Sequence, residues 1–452
     1  MEKINIPAGA EYIIEQLNSH GFEAYIVGGC VRDSLLGKNP NDWDITTSAT
    51  PYEVKDIFKR TIDTGIQHGT VTVMVDKNIS MGEEYSFEVT TYRVDGKYED
   101  HRRPTEVTFT ASLEEDLKRR DFTINAMAYN HSQGVVDIFG GQQDLASGVI
   151  KAVGVAEHRF QEDALRILRA VRFAAQLGFD IEDETKKAMT KLAENLRFIS
   201  AERIQVELTK LITSNHPDRL VEAYNLGITS VVLPEFDVMM ETNQDNPYHI
   251  YNVGIHTIKV MENVPPTQIF RYTALLHDVA KPVTKTLDDK GIGHFYGHPE
   301  KGADMARDIL KRLKLDNHTI NETCLLIKEH DFSLHGTNIK SFRRFLNRLG
   351  KERFHDFIIV KKADMAGQSD YNRDIRQGYV DDMLVMFDKV EKENQCVKMT
   401  DMAIGGQDLI EMGIAPGKEM GIILKSLFDK ILEDPELNDR EKLIKLVKEK
   451  MY

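Results

Sequence analysis

The spacing of apolar residues changes character about a third of the way along the chain. Before residue 150, short runs rich in β-branched and aromatic residues are bounded by Gly, Asp and Asn, which is typical of strands. The predicted strands are AYIVGG, DWDIT, TVTVMV, YSFEVTTY and EVTF. PYEVKDIFKR is predicted to be a helix that begins near the capping residues Ser48 and Thr50, with Pro51 in its first turn. This alternation predicts an α/β domain built on a mixed sheet.

From about Glu157 onward, apolar residues recur instead at helical spacing. Examples are EDALRILRAVRFAAQLG, AERIQVELTKLI and the C-terminal REKLIKLVKEK. The whole chain is therefore expected to be an α+β protein, with a sheet-containing head followed by a neck, a body and a tail that are all helical. We expect its boundaries to give four domains, at 1–145, 146–245, 246–368 and 369–452.

Composition narrows the class of protein. The 452 residues are 41% hydrophobic and 29% charged, as in an ordinary soluble protein, and contain no apolar run long enough to span a membrane. The N-terminal residues do not resemble a signal peptide. Cys30, Cys324 and Cys396 lie far apart, without the spacing of a zinc site or a disulfide framework. These features favour a cytoplasmic protein, and they leave its oligomeric state open.

A net charge of −14 is unusual for a protein that binds nucleic acid. The basic residues are, however, clustered at 118–120, at 166–172 and at 340–353. The last cluster, KSFRRFLNRLGKER, can equally be a solvated helix face. The charge pattern therefore allows binding of a polyanion at the basic clusters, but not over the whole surface.

The segment IVGGCVRDSLLGKNPNDWDITT combines features of a phosphate and metal site. Gly28 and Gly29 follow a buried strand, let the backbone approach a ligand and offer amide N–H groups to phosphate, with Arg32 as a cation nearby. In a strand, Asp42 and Asp44 point to the same face, with Trp43 and Ile45 toward the core. Two adjacent carboxylates repel unless a cation lies between them, and Mg²⁺ is the natural occupant.

GGxVRDxLLG followed by DxDIxT resembles the active-site signature of class II CCA-adding enzymes and poly(A) polymerases, in the DNA polymerase β-like superfamily. Further blocks extend the resemblance over nearly the whole chain. It implies a nucleotidyltransferase head with Asp42 and Asp44 as the catalytic, Mg²⁺-binding residues. In RRDFTINAMA it implies phosphate binding by Arg120 and recognition of the ribose 2′-hydroxyl by Asp121 and Asn125.

EDALRILRAVRF carries the prediction about base choice. Asp163 and Arg166 are expected to be neighbours on one helix. A carboxylate accepts from the amino group of cytosine or adenine while a guanidinium donates to the adjacent ring nitrogen, and uracil and guanine present the reverse pattern. An ion pair between Asp163 and Arg166 is the alternative for the empty site. The resemblance implies that Arg169 and Arg172 also help bind the nucleotide, and we expect Arg172 to contact RNA or phosphate.

The charged segment RVDGKYEDHRRP, from Arg93 to Pro104, is predicted to be a mobile loop. It resembles the flexible loop of family members that add the terminal A as well as the two Cs. Its presence therefore favours addition of the complete CCA.

A second group of chemically active residues follows in the helical region. An adjacent His-Asp pair with flanking histidines and a distant aspartate resembles the HD superfamily of metal-dependent phosphohydrolases. The resemblance implies the ligand set His256, His277, Asp278, His298, His330 and Asp364. The first two histidines with both aspartates would hold one metal, and the remaining histidines could complete a second. Mixed imidazole and carboxylate ligands suit Mn, Fe, Ni or Zn, or less well Mg. Lys281 matches the family's HDxxK pattern. A degenerate, purely structural HD fold is the alternative.

Two other segments match the family. SAERIQVELTKLI places Arg203, Glu207 and Lys210 on one helical face, and the resemblance implies that this helix braces the base-selecting helix by packing and ion pairing. The C-terminal residues resemble a tail that binds tRNA through its phosphates.

Taken together, the sequence predicts CCA addition to the 3′ end of tRNA from CTP and ATP, with release of pyrophosphate and possible phosphatase or phosphodiesterase activity in the HD domain. A poly(A) polymerase with the same core motifs is the nearest alternative, although this acidic chain lacks the basic extension common in such enzymes. A second alternative makes the HD hydrolase the principal activity. A non-enzymatic RNA chaperone does not explain two metal-binding motifs.

Overall fold

The computed structural model of the chain describes residues 3–76, 78–79, 85–96, 98–99, 103–104, 107–334 and 338–450. They fall into two compact units, Met1–Asp237 and Val238–Tyr452. The finer division into four domains stays a prediction. Among the described residues, no helix combines the length and apolar character that crossing a bilayer would require. Cys30, Cys324 and Cys396 are buried free thiols, so the prediction that no disulfide joins them is confirmed.

The first unit contains most of the strands. They are β1 Ala24–Val27, β2 Ile45–Thr47, β3 Thr61–Gly65, β4 Thr70–Val75, β5 Tyr85–Thr91, β6 Arg93–Asp95, β7 Tyr98–Glu99, β8 Arg103–Pro104, β9 Val107–Phe109, β10 Met127–Asn130, β11 Gly134–Asp137, β12 Val149–Ile150 and β13 Asp180–Ile181. Its helices are α1 Ala8–Ser19, α2 Gly29–Leu35, α3 Pro51–Ile57, α4 Leu113–Lys118, α5 Gly141–Ser147, α6 Ala156–Glu162, α7 Leu165–Leu177, α8 Asp183–Leu192, α9 Ala201–Ile212, α10 Arg219–Asn225, α11 Thr229–Val232 and α12 Pro234–Met240, the last of which reaches the unit boundary.

The head is organised around a seven-stranded sheet in the order β11-β10-β1-β2-β5-β4-β3. β2 and β5 run parallel and the other neighbours are antiparallel, which confirms the predicted mixed sheet. β1 is buried along its whole length, which explains its uninterrupted apolar sequence. Strands β3, β10 and β11 were not among the predicted elements.

The helix predicted over residues 51–60 begins as expected but ends earlier, at Ile57. Thr50 accepts a hydrogen bond from the Glu53 amide, the Glu53 carboxylate accepts one from the Thr50 amide, and Pro51 occupies the first turn. This reciprocal cap satisfies two amide groups that a helix otherwise leaves without partners.

The prediction that residues 93–104 form a loop is wrong for the part that the structure describes. β6 pairs with β9, with Val94 opposite Thr108, and β7 pairs with β8. Residues 97 and 100–102 lie outside the described residues. The charged composition of the segment concealed the few strand-forming residues that pair.

The second unit is almost entirely helical. Its elements are α13 Val253–Glu262, α14 Gln268–Leu276, α15 Lys281–Thr284, β14 Thr286–Leu287, β15 Gly293–His294, α16 His298–Arg312, α17 Asn317–Glu329, α18 Ile339–Leu349, α19 Phe354–Ala366, α20 Arg373–Lys392, α21 Gly406–Glu411, α22 Lys418–Glu433 and α23 Arg440–Lys450. One apolar core runs from Leu326 to Val447 and includes stacked rings, such as Phe354 on Phe387 at 4.1 Å between centroids. The predicted boundary at residue 368 lies within the stretch that supplies this core.

Two glycines give opposite predictions for the same substitution. A Cβ at Gly141 would lie 2.3 Å from the carbonyl oxygen of Thr123, whereas a Cβ at Gly378, inside α20, would meet no atom within 4 Å. We expect Gly141→Ala to destabilise the head by about 1–3 kcal/mol because backbone must shift. Gly378→Ala should stabilise the second unit by about 0.5–1 kcal/mol because it removes conformational freedom from the unfolded chain. Urea denaturation of both variants checks the pair, and a destabilised Gly378→Ala would contradict it.

Candidate active site and metal centre

The two head aspartates lie where β2 begins. The strand starts at Ile45, so Asp42 and Asp44 belong to the segment leading into it, and their expected placement on a strand is wrong. The main chain of Asp44 is nevertheless fixed, because its carbonyl accepts a hydrogen bond of 3.0 Å from the Val27 amide. Ile45 is fully buried as predicted, whereas Trp43 is only partly buried.

A third carboxylate, Glu88, was missed by the sequence reasoning. The parallel pairing of β2 with β5 sets Ile45 opposite Val89, which brings Glu88 beside Asp44. The pKa of Asp44 is raised, first because the protein shields its carboxyl from water and then because of the negative charges of Glu88 and Asp42. Three neighbouring acids with oxygen donors suit a divalent cation. The alternation in SFEVTT, which puts Glu88 on the solvent face of a strand, was the available signal.

Gly28 and Arg120 form the other side of this site. Gly28 has a φ of +80°, and a Cβ there would lie 2.8 Å from Nη1 of Arg120, so the position accommodates only glycine. The Gly28 amide donates to the Met127 carbonyl at 3.1 Å, so the expectation that it is free for phosphate is wrong. Gly29 opens α2, where first-turn amides have no partner within the helix.

Arg120 is the residue in this group that a phosphate can best use. Its positive charge lowers the pKa of Asp44 against the other causes, and its Nη2 lies 3.6 Å from the buried carboxylate of Asp116. Its Nε is buried and has no hydrogen-bond partner among the described residues. The Arg120 guanidinium is thus a cation beside the acids, and its charge suits the phosphates of a nucleotide.

A hydrogen-bonded chain joins Arg32, Asn125, Asp121 and Arg169. Nη1 of Arg32 donates to the Asn125 side-chain oxygen at 2.6 Å, and the Asn125 amide donates to Asp121 at 3.1 Å. Nη2 of Arg169 lies 2.7 Å from the other oxygen of Asp121. Burial by itself raises the pKa of Asp121, but the charge of Arg169 and the hydrogen bond from Asn125 outweigh it and lower the pKa. The sequence identified these four residues and not their mutual contacts.

Arg172 and Glu207 form a second buried ion pair, with Nε of Arg172 2.9 Å from the carboxylate. Arg172 is 7% exposed, also donates to Gln176, and lies over the Phe173 ring at 3.5 Å. The predicted contact of Arg172 with RNA or phosphate is therefore not what this conformation provides. Glu207 lies on α9, so the expected bracing of α7 by ion pairs from α9 is confirmed.

The predicted base-selecting residues do not share one helix. Residue 163 has an extended backbone, with φ −139° and ψ 103°, so the helical conformation is interrupted between α6 and α7. Asp163 is held by Arg203 at 2.7 Å, while Arg166 pairs with Glu162 at 2.7 Å. The alternative of an ion pair between Asp163 and Arg166 is wrong. The apolar periodicity continues across the break and concealed it.

The basic cluster at 340–353 is largely neutralised. Arg343 is buried and donates to the carbonyls of Leu432 and Glu433, both at 2.7 Å, at the end of α22. Arg348 lies 2.8 Å from Glu329, and Arg353 lies 2.6 Å from Glu322. These guanidinium groups hold helices together, which weakens their interpretation as an RNA-binding stripe.

Six predicted metal ligands converge in the second unit and are all buried: His256, His277, Asp278, His298, His330 and Asp364. Asp278 lies at the centre. One of its oxygens is 3.1 Å from Nε2 of His277 and the other is 3.5 Å from Nε2 of His298. Two trios have their ligand atoms within 4.8 Å of one another, one with His256 and His277 and one with His298 and His330, and both include Asp278. The two predicted ligand groups are thus side by side.

The opposite nitrogen of each ring is occupied in the same way. Nδ1 of each imidazole lies 2.6–3.1 Å from a backbone carbonyl oxygen: His256 with Gly367, His277 with Ala274, His298 with Phe295 and His330 with Ile327. A carbonyl can only accept, so in the neutral ring the proton is on Nδ1 and the lone pair of Nε2 faces the cluster. Such contacts fix metal-binding histidines in orientation and tautomer. The donor set fits one or two divalent metals.

A cavity of about 780 Å³ opens onto four of these residues, Asp278, His298, His330 and Asp364, and is lined by both polar and aromatic side chains. Lys281, Lys361 and Arg376 are among its lining residues, with Tyr248 and Tyr296. Nζ of Lys281 already lies 2.7 Å from Asp278 and 2.8 Å from the Gln244 side chain. The cavity therefore combines positive charge with a metal-binding floor, as a phosphate ester requires.

Three family models match successive parts of the chain. They are the poly A polymerase head domain at residues 24–151, the probable RNA and SrmB-binding site of polymerase A at 178–240, and the HD domain at 248–366. The fold and both sites thus define a metal-dependent nucleotidyltransferase that carries an HD domain.

Individual relatives identify the family. The CCA-adding enzyme of Lactococcus lactis subsp. cremoris MG1363 is 34% identical, over 97% of this chain and 95% of its own. That of Leuconostoc mesenteroides is 54% identical over 47% of this chain, a stretch that spans about half (51%) of that relative. The crystal structure of the Bacillus stearothermophilus CCA-adding enzyme in complex with CTP has a TM-score of 0.68 and 28% identity, covering 98% of each chain. This chain belongs to the family of CCA-adding enzymes.

The ion pair between Asp121 and Arg169 predicts a specific acid sensitivity. The pKa of Asp121 is lowered on folding, so its contribution to stability is complete above its unfolded value and disappears as the pH falls through the folded one. We expect Asp121→Asn to cost about 3–5 kcal/mol at pH 7, and the difference from wild type to shrink below about pH 4. Urea denaturation of the two proteins from pH 7 to pH 3 measures it. Asp180→Asn, which alters an exposed pair with Arg219, is the control, and a difference that does not depend on pH would contradict the assignment.

Proposed function

We propose that the chain adds the 3′-terminal CCA to tRNA from CTP and ATP. The observation that carries the proposal is the grouping of three acids with Arg120 and Gly28 beside the central strands β1, β2 and β5 of the head sheet, in a chain of this family. Curated relatives with 41% and 34% identity are CCA-adding enzymes, which disfavours the poly(A) polymerase alternative.

In this proposal each part of the head site has one task. Asp42 and Asp44, with Glu88 beside them, hold Mg²⁺, which when bound activates the RNA 3′-hydroxyl and neutralises charge on the leaving pyrophosphate. Arg120 binds the triphosphate through its positively charged guanidinium. Gly28 keeps space for that guanidinium, and Gly29 offers the first amides of α2.

The other predicted nucleotide-binding residues act around the sugar and base. Asp121 and Asn125 lie beside the ribose 2′-hydroxyl, with Arg32 and Arg169 fixing their orientation. Asp163 accepts from the amino group of cytosine or adenine and Arg166 donates to the ring nitrogen. On binding the base, Asp163 gives up part of its contact with Arg203, and Arg166 gives up part of its contact with Glu162. Arg172 supports this group from the interior through Glu207.

We propose a second activity, metal-dependent hydrolysis of phosphate esters, for the HD cluster. Four imidazoles with Nδ1 on carbonyls and Nε2 facing two aspartates favour it over a degenerate, structural fold. Mn²⁺, Fe²⁺, Ni²⁺ or Zn²⁺ suits the mixed nitrogen and oxygen donors better than Mg²⁺.

Incorporation by the purified protein tests the first proposal. A tRNA transcript lacking CCA, given Mg²⁺, CTP and ATP, should grow by three nucleotides and need both nucleotides. Asp42→Ala with Asp44→Ala should abolish growth, and Arg120→Ala should slow it about 10²-fold or more because a preorganised charge is lost. Lys118→Ala, an exposed neighbour on the same segment, is the matched control. Synthesis of long A tails from ATP alone would instead show that the protein is a poly(A) polymerase.

Hydrolysis tests the second proposal independently of the first. With Mn²⁺ or Ni²⁺, the protein should cleave p-nitrophenyl phosphate or its bis-ester, and the preferred ester separates phosphatase from phosphodiesterase. His277→Ala with Asp278→Ala should abolish cleavage, because both trios of ligands lose members. If the same double variant still adds CCA at the wild-type rate, the reading in which the HD hydrolase is the principal activity fails. No cleavage of either ester with any divalent metal would support a structural HD fold.

A further inference from the structure

Asp364 has a hydrogen-bond donor outside the ring of metal ligands. The side-chain amide of Gln368 donates to both of its oxygens, at 3.0 and 3.1 Å. One of these oxygens also lies 3.0 Å from Nε2 of His256. Gln368 follows Asp364 by one helical turn, just after α19 ends. The carboxylate is therefore held between a ligand on one side and an amide on the other.

Arg376 determines which way the Gln368 amide points. Nη1 of Arg376, on α20, donates to Oε1 of Gln368. A guanidinium has donors and no acceptor, so only the oxygen of the amide can face it. The NH₂ group must then face Asp364, where it can donate. Without Arg376 the amide oxygen would lose its donor, and the Gln368 side chain would be less restrained from taking rotamers that withdraw its NH₂ group from Asp364.

Arg376 is itself fixed at its far end by the main chain. Nη2 donates to the carbonyls of Ser369 and Tyr371, at 2.6 and 3.0 Å. Its guanidinium also lies over the Tyr248 ring at 5.9 Å. All of these groups belong to the second unit, and Tyr248, Asp364, Gln368 and Arg376 line the same cavity.

We propose that Gln368 and Arg376 are positioning residues for the metal ligand Asp364. Arg376 orients the amide, the amide orients the carboxylate, and the carboxylate presents a fixed lone pair to the cation. The inference rests on the proposed metal site in the HD cluster. Hydrogen-bonded groups behind metal ligands typically change metal affinity by about 10–100-fold when they are removed. The competing interpretation is that the same contacts only close the turn between α19 and α20.

Mn²⁺ binding by the full chain separates these interpretations. Asp42→Ala with Asp44→Ala provides the parent protein, so that the head contributes no bound Mn²⁺. Bound and free Mn²⁺ are distinguished by electron paramagnetic resonance. We expect Gln368→Leu to weaken one Mn²⁺ site about 10–100-fold and Arg376→Ala to weaken it in the same direction by a smaller factor. Arg376→Lys, which keeps a donor for Gln368, should recover part of the loss.

The double variant carries the sharpest expectation. If Arg376 acts only through Gln368, the affinity of Gln368→Leu with Arg376→Ala should equal that of Gln368→Leu alone. Gln377→Ala and Arg373→Ala remove the same side-chain types from α20, where they contact Asp381 and Asp370, and should leave Mn²⁺ affinity unchanged. Thermal denaturation without metal shows whether each variant is folded.

Each outcome decides the matter. Wild-type Mn²⁺ affinity in a folded Gln368→Leu variant would overturn the inference while leaving the proposed metal site intact. Losses that multiply in the double variant would overturn the relay through Gln368. A parent protein that binds no Mn²⁺ would remove the HD metal site and this inference with it, whereas CCA addition by the unsubstituted head would be unaffected.

Discussion

The arrangement of helices in the first unit depends on one physical constraint: a buried charged side chain needs a partner of opposite charge. Asp121 and Glu207 are both nearly inaccessible to water, and their carboxylates are compensated by Arg169 and Arg172 from α7. Removing one partner of such a pair leaves a buried charge uncompensated, which costs about 3–5 kcal/mol. The pairs therefore fix α7 in register between the segment that follows α4 and the helix α9. The residues proposed to recognise the sugar and the base lie on or next to the elements that these ion pairs connect.

The same requirement is met differently in the second unit. There the charges of Asp278 and Asp364 face imidazole nitrogens whose protons are held elsewhere by backbone carbonyls. The helices contribute twice, because their residues supply the rings and their carbonyls fix the tautomers. Two trios of these donor atoms lie within 4.8 Å of one another, an arrangement that suits a cation. The head acids lie in a more open site, because the residues Asp42, Asp44 and Glu88 are exposed. The surrounding protein nevertheless removes enough water from the Asp44 carboxyl to raise its pKa.

For some residues, the contacts in the structure differ from the role that the sequence predicted. Arg343 and Arg348 look like a basic stripe for RNA, and the structure uses them to cap α22 and to pair with Glu329. Asp163 and Arg166 look like neighbours on one helix, and they are separated by a break and held by Arg203 and Glu162. Arg343 and Asp163 find their partners in elements distant in sequence, whereas Glu162 lies only four residues before Arg166.

The sequence by itself determined the mixed-sheet head and the helical remainder, and by resemblance to known families it indicated the acids before β2 and six candidate ligands of the HD cluster. These follow from local rules: apolar periodicity depends on near neighbours along the chain, and the motifs are short runs of fixed residue types. Only the tertiary structure decided that Glu88 lies beside Asp44 and that Gly28 leaves space for the Arg120 guanidinium. It also decided that Gln368, held by Arg376, donates hydrogen bonds to Asp364. Strand register and helix packing bring these residues together, and both are set by long-range burial, which leaves no fixed spacing in the sequence to read.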